Sequence, residues 1–290
     1  MTADPPGPAV SAEPPVDVLI PTYRRPAALA VTLAGLTAQT LPRFRVVVSD
    51  QTEDGDPTAA AEVQTAVRLL RARGRPVELH RHLPRQGLAE HRQYLLDAAR
   101  APYALFLDDD VLCEPPLLAR LLRVLREQGC GFAGAPLIGL SHLNDVRPHQ
   151  QRIELWDGPV RPEVVGPDDP AWERHHLHSA ANAWHVQELL GSTDEHPVVY
   201  KVAWIGGCVL YDVAKLRDVG GFSFWRQLPE QHCGEDVLAQ LRVMARYGGC
   251  GVLPSGAYHQ QLPTTVEDRS CDAPKVLRTL TPTTRDPARR

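Results

Sequence analysis

Three consecutive carboxylates, Asp108-Asp109-Asp110, follow the apolar run Tyr103-Ala104-Leu105-Phe106-Leu107 and precede Val111-Leu112 and a helix opening at Glu114-Pro115-Pro116. Neighbouring carboxylates repel one another, so their natural partner is a divalent cation or a ligand rich in hydrogen-bond donors. Mg²⁺ and Mn²⁺ prefer oxygen ligands and commonly reach phosphates through one or two carboxylates. The competing reading is an acidic loop capping the next helix, since Asp favours helix N-termini. A second acidic pair, Glu235-Asp236, opens a segment whose apolar positions Val237, Leu238, Leu241, Met244 and Ala245 fit a period of 3.6. These acids too are stabilised by a helix dipole without any catalytic duty. Both readings stay open at this level.

The elements that must position these acids are legible on either side. Val16–Ile20 is β-branched-rich and ends at Pro21, and Pro26 suits the first turn of a helix running to about Gln39. Arg45–Asp50 is a second strand, followed by the loop 51–56; Ala59, Val63, Ala66, Val67 and Leu70 repeat at helical spacing. Pro76–His80 is a weaker third strand, and Leu88–Arg100 a helix leading into the acidic strand. Strand and helix thus alternate through the first 130 residues, which predicts an α/β fold with an open, mostly parallel sheet flanked by helices. The loops after the first, second and fourth strands carry Thr22 and Tyr23, Asp50, and Asp108–Asp110. They are expected to converge at the carboxyl edge, where open sheets of this kind bind ligands, in a nucleotide-sized site.

The second half is less regular. Cys130–Leu140 reads as a strand, and Lys201–Tyr211 as a strand interrupted by Gly206-Gly207, a pair that lets another group approach the backbone. Val213–Val219 is a short helical piece ending at Gly220-Gly221-Phe222, and Gly251–His259 a last strand. Residues 141–200 are rich in His, Trp and Pro and show little periodicity. They are expected to form an acceptor wall that closes over bound donor. Residues 1–15 are expected to be a disordered tail, 16–262 a single domain (a nucleotide-binding half, 16–130, and an acceptor-binding half, 131–262), and 263–290 a tail that either folds over the site or is disordered.

The chain has 290 residues, 23% of them charged, with a formal net charge of −4. That balance carries no nucleic-acid footprint. No apolar run approaches the roughly 20 residues that span a bilayer, and the N-terminus is no signal peptide, so a soluble cytoplasmic protein is expected. The six cysteines include no CxxC pair and read as thiols in a reducing compartment. His175, His176, His178 and His185 have no matching cysteine set for zinc.

Over residues 16 to 260 the chain resembles family 2 glycosyltransferases of the GT-A fold. The likeness is carried in order by Val18-Leu19-Ile20-Pro21-Thr22-Tyr23-Arg24-Arg25, by Val47-Val48-Ser49-Asp50, by Asp108-Asp109-Asp110, and by Gly220-Gly221-Phe222 followed by Gly234-Glu235-Asp236. It departs from the family at Arg92-Gln93, where many members have Arg-Asn, and in the loop 51–55. The resemblance implies metal-dependent, inverting transfer of a sugar from a UDP-, GDP- or dTDP-sugar to an acceptor: a small molecule, peptide, lipid or polysaccharide. It makes Asp110 a ligand of Mg²⁺ or Mn²⁺ with His259 as a second ligand, and puts Asp108 and Asp109 at the ribose. It places Pro21, Thr22, Tyr23 and Arg25 at the nucleotide, with Tyr23 bordering the base and Asp50 accepting from its ring N–H. Arg85 is a phosphate or base contact. Asp236 becomes the base, with Glu235 orienting beside it. Trp204, Gly206, Gly207 and Trp225 flank the acceptor. A sugar nucleotidyltransferase is the nearest alternative, although Pro21-Thr22-Tyr23 is not its Gly-rich phosphate loop; a non-catalytic nucleotide-sugar binding protein of the same fold is another.

Overall fold

Every residue of the first strand, β1 (Val16–Thr22), is buried, so both of its faces need cover. The chain supplies it by alternation: α1 (Pro26–Thr37), β2 (Arg45–Asp50), α2 (Ala61–Ala72), β3 (Val77–Arg81), α3 (Leu88–Ala98) and β4 (Tyr103–Leu107). These strands form the parallel ladder β3-β2-β1-β4. Successive side chains point to opposite faces. Val18 and Ile20 therefore join Leu29 and Leu33 of α1 and Val63 and Val67 of α2 in one core, while Leu19 and Val47 join Leu95 of α3 in the other. Buried Asp17 ties the ladder together. It accepts from Arg45 Nε at 2.9 Å and Nη2 at 2.6 Å, and from the N–H groups of Arg100 and Ala101.

The remainder comprises β5 (Val111–Cys113), α4 (Leu117–Gln128), β6 (Phe132–Gly134), α5 (Asn182–Leu190), β7 (Val198–Tyr200), β8 (Cys208–Asp212), α6 (Val213–Asp218), α7 (Glu235–Tyr247), β9 (Gly249–Leu253), β10 (Ala257–His259) and the short turn α8 (Ala273–Val276). This computed structural model describes residues 13–277. Most of the expected N-terminal tail, residues 1–12, and residues 278–290 lie outside the described residues.

The large sheet has the order β3-β2-β1-β4-β8-β6-β9-β7. β8 is antiparallel to both β4 and β6, and β7 to β9, so the sheet is mixed beyond β4. The expected mostly parallel sheet holds for its first half. There, each return to the sheet uses a helical crossover, which antiparallel pairing does not need.

Four other expectations change. The strand expected over Cys130–Leu140 is confined to Phe132–Gly134, and the one over Lys201–Tyr211 begins only at Cys208, which leaves Gly206-Gly207 in the preceding loop. The expected last strand splits into β9 and β10, which belong to different sheets. Residues 141–200 are not without regular structure: they contain 3₁₀ turns, α5 and the edge strand β7, and bury Val165, Leu177, Val186 and Tyr200. Within this region, Arg174 ties Glu154 (2.8 Å) to Glu163 (2.9 Å). Its apolar residues are too sparse to show a period yet sufficient to cover one edge of the sheet.

Candidate active site

The carboxyl ends of β1 and β4 and the start of α7 enclose a cavity of about 400 Å³. Pro21, Thr22, Tyr23, Arg25, Arg85, Asp108, Asp109, Asp110, Glu235, Asp236 and His259 all line it. The parallel pairing of β1 with β4 brings Thr22 beside the acidic run, and the Thr22 hydroxyl donates to Asp109 Oδ2 at 2.7 Å. Arg25 Nη1 donates to Asp110 Oδ2 at 2.9 Å and lies 3.3 Å from Asp109 Oδ1. Thr32 of α1 fixes the backbone of the loop, donating to the Asp109 carbonyl at 2.8 Å and accepting from the Val111 N–H at 3.1 Å.

His259 is placed by register. It sits opposite Val111 in the β5–β10 ribbon, one residue from Asp110, and its Nε2 lies 3.5 Å from Asp110 Oδ2. Burial pushes the Asp109 carboxyl up to about 6, against the opposing pull of Thr22 and Arg25; burial raises Asp110 as well, with His259 opposing.

Arg92 joins the two acidic groups. Its Nη2 donates to Asp108 Oδ1 and its Nε to Glu235 Oε1, both at 2.9 Å. Among the described residues Asp236 has no ion pair of its own, and it accepts from the Val237 N–H at 2.8 Å. It lies deep in the protein, with part of its surface still open. Burial, then the neighbouring Glu235 charge, raises it to about 7, although Arg92 pulls the other way. The helix N-terminus that should lower this acid is outweighed by desolvation and like charge.

Five expected residues, Asp50, Trp204, Gly206, Gly207 and Trp225, do not line this cavity. Asp50 lines a separate cavity with Asp56, Thr58, His80 and Arg81; its Oδ1 accepts from the Thr52 hydroxyl at 2.7 Å and its buried Oδ2 has no partner. Gly207 has φ +75, and a Cβ there would lie 2.4 Å from Leu137 Cδ1, so only glycine lets its carbonyl accept the Asp108 N–H at 2.9 Å. A Cβ on Gly206 would stand 3.9 Å from Asp236 Oδ2 and from Trp204 Cζ3. Trp204 stacks on His175 (ring centroids 5.9 Å apart), and Trp225 is half-buried under Arg226. Tyr23 carries the Arg85 guanidinium 4.2 Å from its ring centre.

Sequence reading missed several lining residues, Gln51, His91, Arg92 and His232; of the two outcomes it left open for the C-terminal tail, the segment containing Leu262, Thr264, Thr265, Val266 and Arg269 takes the one that reaches the cavity. Arg92 differs from its neighbours on α3 only by where the helix points it, which no local pattern records. His232 reaches the N-terminus of α3 and accepts from the Ala89 N–H at 3.0 Å, a contact spanning 143 residues.

Asp110 and His259 offer one carboxylate oxygen and one imidazole nitrogen, and no group of three or more ligating side chains forms among the described residues. That pair fits a divalent cation that takes its other ligands from phosphate oxygens and water. The cavity is also short of positive charge: six carboxylates face four arginines.

Comparison with known proteins identifies this architecture. The profile described as Glycosyl transferase family 2 matches residues 17–182. Succinoglycan biosynthesis protein ExoM of Rhizobium meliloti (strain 1021) is 33% identical over 178 residues, 60% of this chain and 48% of ExoM. The matched segment thus spans about half the length of that relative. Among solved structures, mannosyltransferase PcManGT from Pyrobaculum calidifontis in complex with GDP-Man and Mn²⁺ superposes with a TM-score of 0.54 at 16% identity, covering 88% of this chain and 59% of that one. S. aureus TarS 1-349 in complex with UDP-GlcNAc gives a TM-score of 0.51 at 15% identity, over 87% and 60% of the two chains. These structural likenesses establish the GT-A fold. With the profile matching more than half of its length, the chain belongs to glycosyl transferase family 2.

Proposed function

We propose that this protein is a metal-dependent, inverting glycosyltransferase that moves a sugar from a nucleoside diphosphate sugar to an acceptor hydroxyl. The observation that carries this reading is the position of Asp236, an acid at about 7, across one cavity from the Asp110–His259 pair. Family membership favours sugar transfer over nucleotidyl transfer.

The diphosphate lies toward Asp110 and His259, the ribose against Asp108 and Asp109, and the base toward Tyr23 and Arg85. Asp50 reads the base only where it extends to the second cavity. Asp110 and His259 would hold a Mg²⁺ or Mn²⁺ ion, which when bound would supply neutralisation of charge developing on the leaving diphosphate. The acceptor oxygen attacks the anomeric carbon, Asp236 takes the hydroxyl proton, and the bond to the diphosphate breaks with its electron pair leaving on the nucleoside diphosphate. Single displacement from the opposite face inverts the anomeric centre. Glu235 is held in place by Arg92 at 2.9 Å and orients this step, while Asp236 is the acid near neutrality. Gly206, beside Asp236, opens the acceptor side; Trp204, Gly207 and Trp225 serve an acceptor that extends past the cavity.

The relatives' ligands, GDP-Man and UDP-GlcNAc, make GDP- and UDP-sugars the first donors to test. Incubation with UDP-, GDP- and dTDP-sugars and Mn²⁺ should release the nucleoside diphosphate from at least one of them. No release from any donor, with or without added glycan and lipid acceptors, would end this reading.

A further inference from the structure

Residues 260–272 cross the open side of the cavity between Asp110 and the start of α7. At the near end the Gln260 N–H donates to the Asp110 carbonyl at 2.8 Å, its side chain to the Ala28 carbonyl at 3.1 Å, and Arg25 Nη2 donates to the Pro263 carbonyl. At the far end the Cys233 N–H donates to the Cys271 carbonyl and the Ala273 N–H to the Cys233 carbonyl, each at 2.9 Å. Gly234, with φ +74, makes room for this junction: a Cβ there would lie 2.5 Å from Asp272 Oδ1. Between these ends the hydrogen bonds are short-range ones, Val266 N–H to Thr264 and Ser270 N–H to Asp268, apart from a 3.6 Å contact of the Cys233 thiol with the Arg269 carbonyl. The span is therefore anchored at both ends, at the acidic run, where Gln261 also donates to the Ser141 hydroxyl at 2.6 Å, and two residues before Glu235.

Four arginines line the cavity, and they are not equally free. Arg92 is spent on Asp108 and Glu235, Arg25 on Asp109 and Asp110, and Arg85 lies over the Tyr23 ring. Arg269 is exposed and forms no ion pair with a carboxylate among the described residues; its side chain meets only the half-buried Cys233 thiol, so redirecting it breaks no salt bridge. A diphosphate entering a cavity walled by six carboxylates needs positive charge from more than one side, and a guanidinium matches phosphate oxygens in a planar fork.

We propose that residues 260–272 are a strap belonging to the donor site and that Arg269 on it binds the diphosphate of the nucleoside diphosphate sugar. This inference depends on the donor reading above and adds to it a binding residue supplied from beyond the family-matched segment, residues 17–182. It also makes the strap the wall that must lift for donor to enter and product to leave.

Calorimetric titration with UDP, GDP and dTDP, each with Mn²⁺, tests it on the full chain carrying Arg269→Gln, Arg269→Lys or Glu267→Gln; Glu267 lies on the strap but does not line the cavity. For the diphosphate that binds the wild type, Arg269→Gln should weaken affinity about tenfold, roughly 1.4 kcal/mol. Arg269→Lys should keep most of the affinity and Glu267→Gln all of it. The matching nucleoside, followed by ligand-observed NMR, should bind Arg269→Gln and wild type alike. Unchanged diphosphate affinity in Arg269→Gln, or an equal loss for the nucleoside, overturns the role of Arg269 while the donor reading stands. A wild type that binds none of the three diphosphates removes both.

Discussion

Arg92 and Glu235 meet at 2.9 Å with only 4% of either side chain exposed, and the same guanidinium reaches Asp108 at 2.9 Å. One buried cation therefore joins the acidic run after β4 to the acids that open α7. Removing one partner of a buried pair leaves the other charge uncompensated, which typically costs about 3–5 kcal/mol. Arg92→Met should destabilise by that order in chemical denaturation, and Glu235→Gln by less, because an amide still accepts from Arg92. A loss below about 1 kcal/mol for Arg92→Met would show that the pair is structurally idle.

Asp236→Asn keeps shape and hydrogen bonding but cannot accept a proton. It should lower kcat by about 10²–10⁴ and leave donor affinity nearly unchanged, since none of the nucleotide contacts assigned above comes from Asp236. Glu235→Gln should cost less. Wild-type turnover in Asp236→Asn together with a dead Glu235→Gln would transfer the base to Glu235.

The pH dependence has a definite sign. Asp236 acts as a base only when ionised, so kcat should fall about tenfold per unit below its value of about 7. Stability runs the other way. Between the ordinary 3.8 and about 7 the folded state holds a proton that the unfolded chain has released, so Asp236 makes the fold less stable as pH rises through that window. The melting advantage of Asp236→Asn over wild type should therefore grow from pH 5 to pH 8. An advantage that is flat or shrinks would mean that Asp236 is not raised.

Cation binding can be read apart from turnover. Mn²⁺ should raise the melting temperature of the wild type in the presence of the nucleoside diphosphate that binds best, and Asp110→Asn should abolish that increment. His259→Ala should weaken it, because one carboxylate ligand and the phosphates remain. A full Mn²⁺ response in Asp110→Asn would move the cation elsewhere.

Much of this was legible in local order. The alternation from Val16 to Gln128 is a repeating exchange of periods, two for strands and near 3.6 for helices, and each element records its own period. Adjacency along the chain also placed Asp108–Asp110 and Glu235-Asp236 at element ends, because a buried strand or helix fixes where the next polar residue emerges. The antiparallel half was not legible in this way: β6, β7 and β10 are three residues each, too short to show a period. The segment 141–200 hid its edge strand for the same reason. Only the tertiary structure decided that Arg92 faces Glu235 across 143 residues, that His259 registers against Val111, and that residues 260–272 turn back over the cavity. It also decided that Asp50 looks into a separate cavity. Contacts of that span are set by how the assembled sheet packs its helices, and a side chain's charge state follows from burial and from neighbours that adjacency does not reveal.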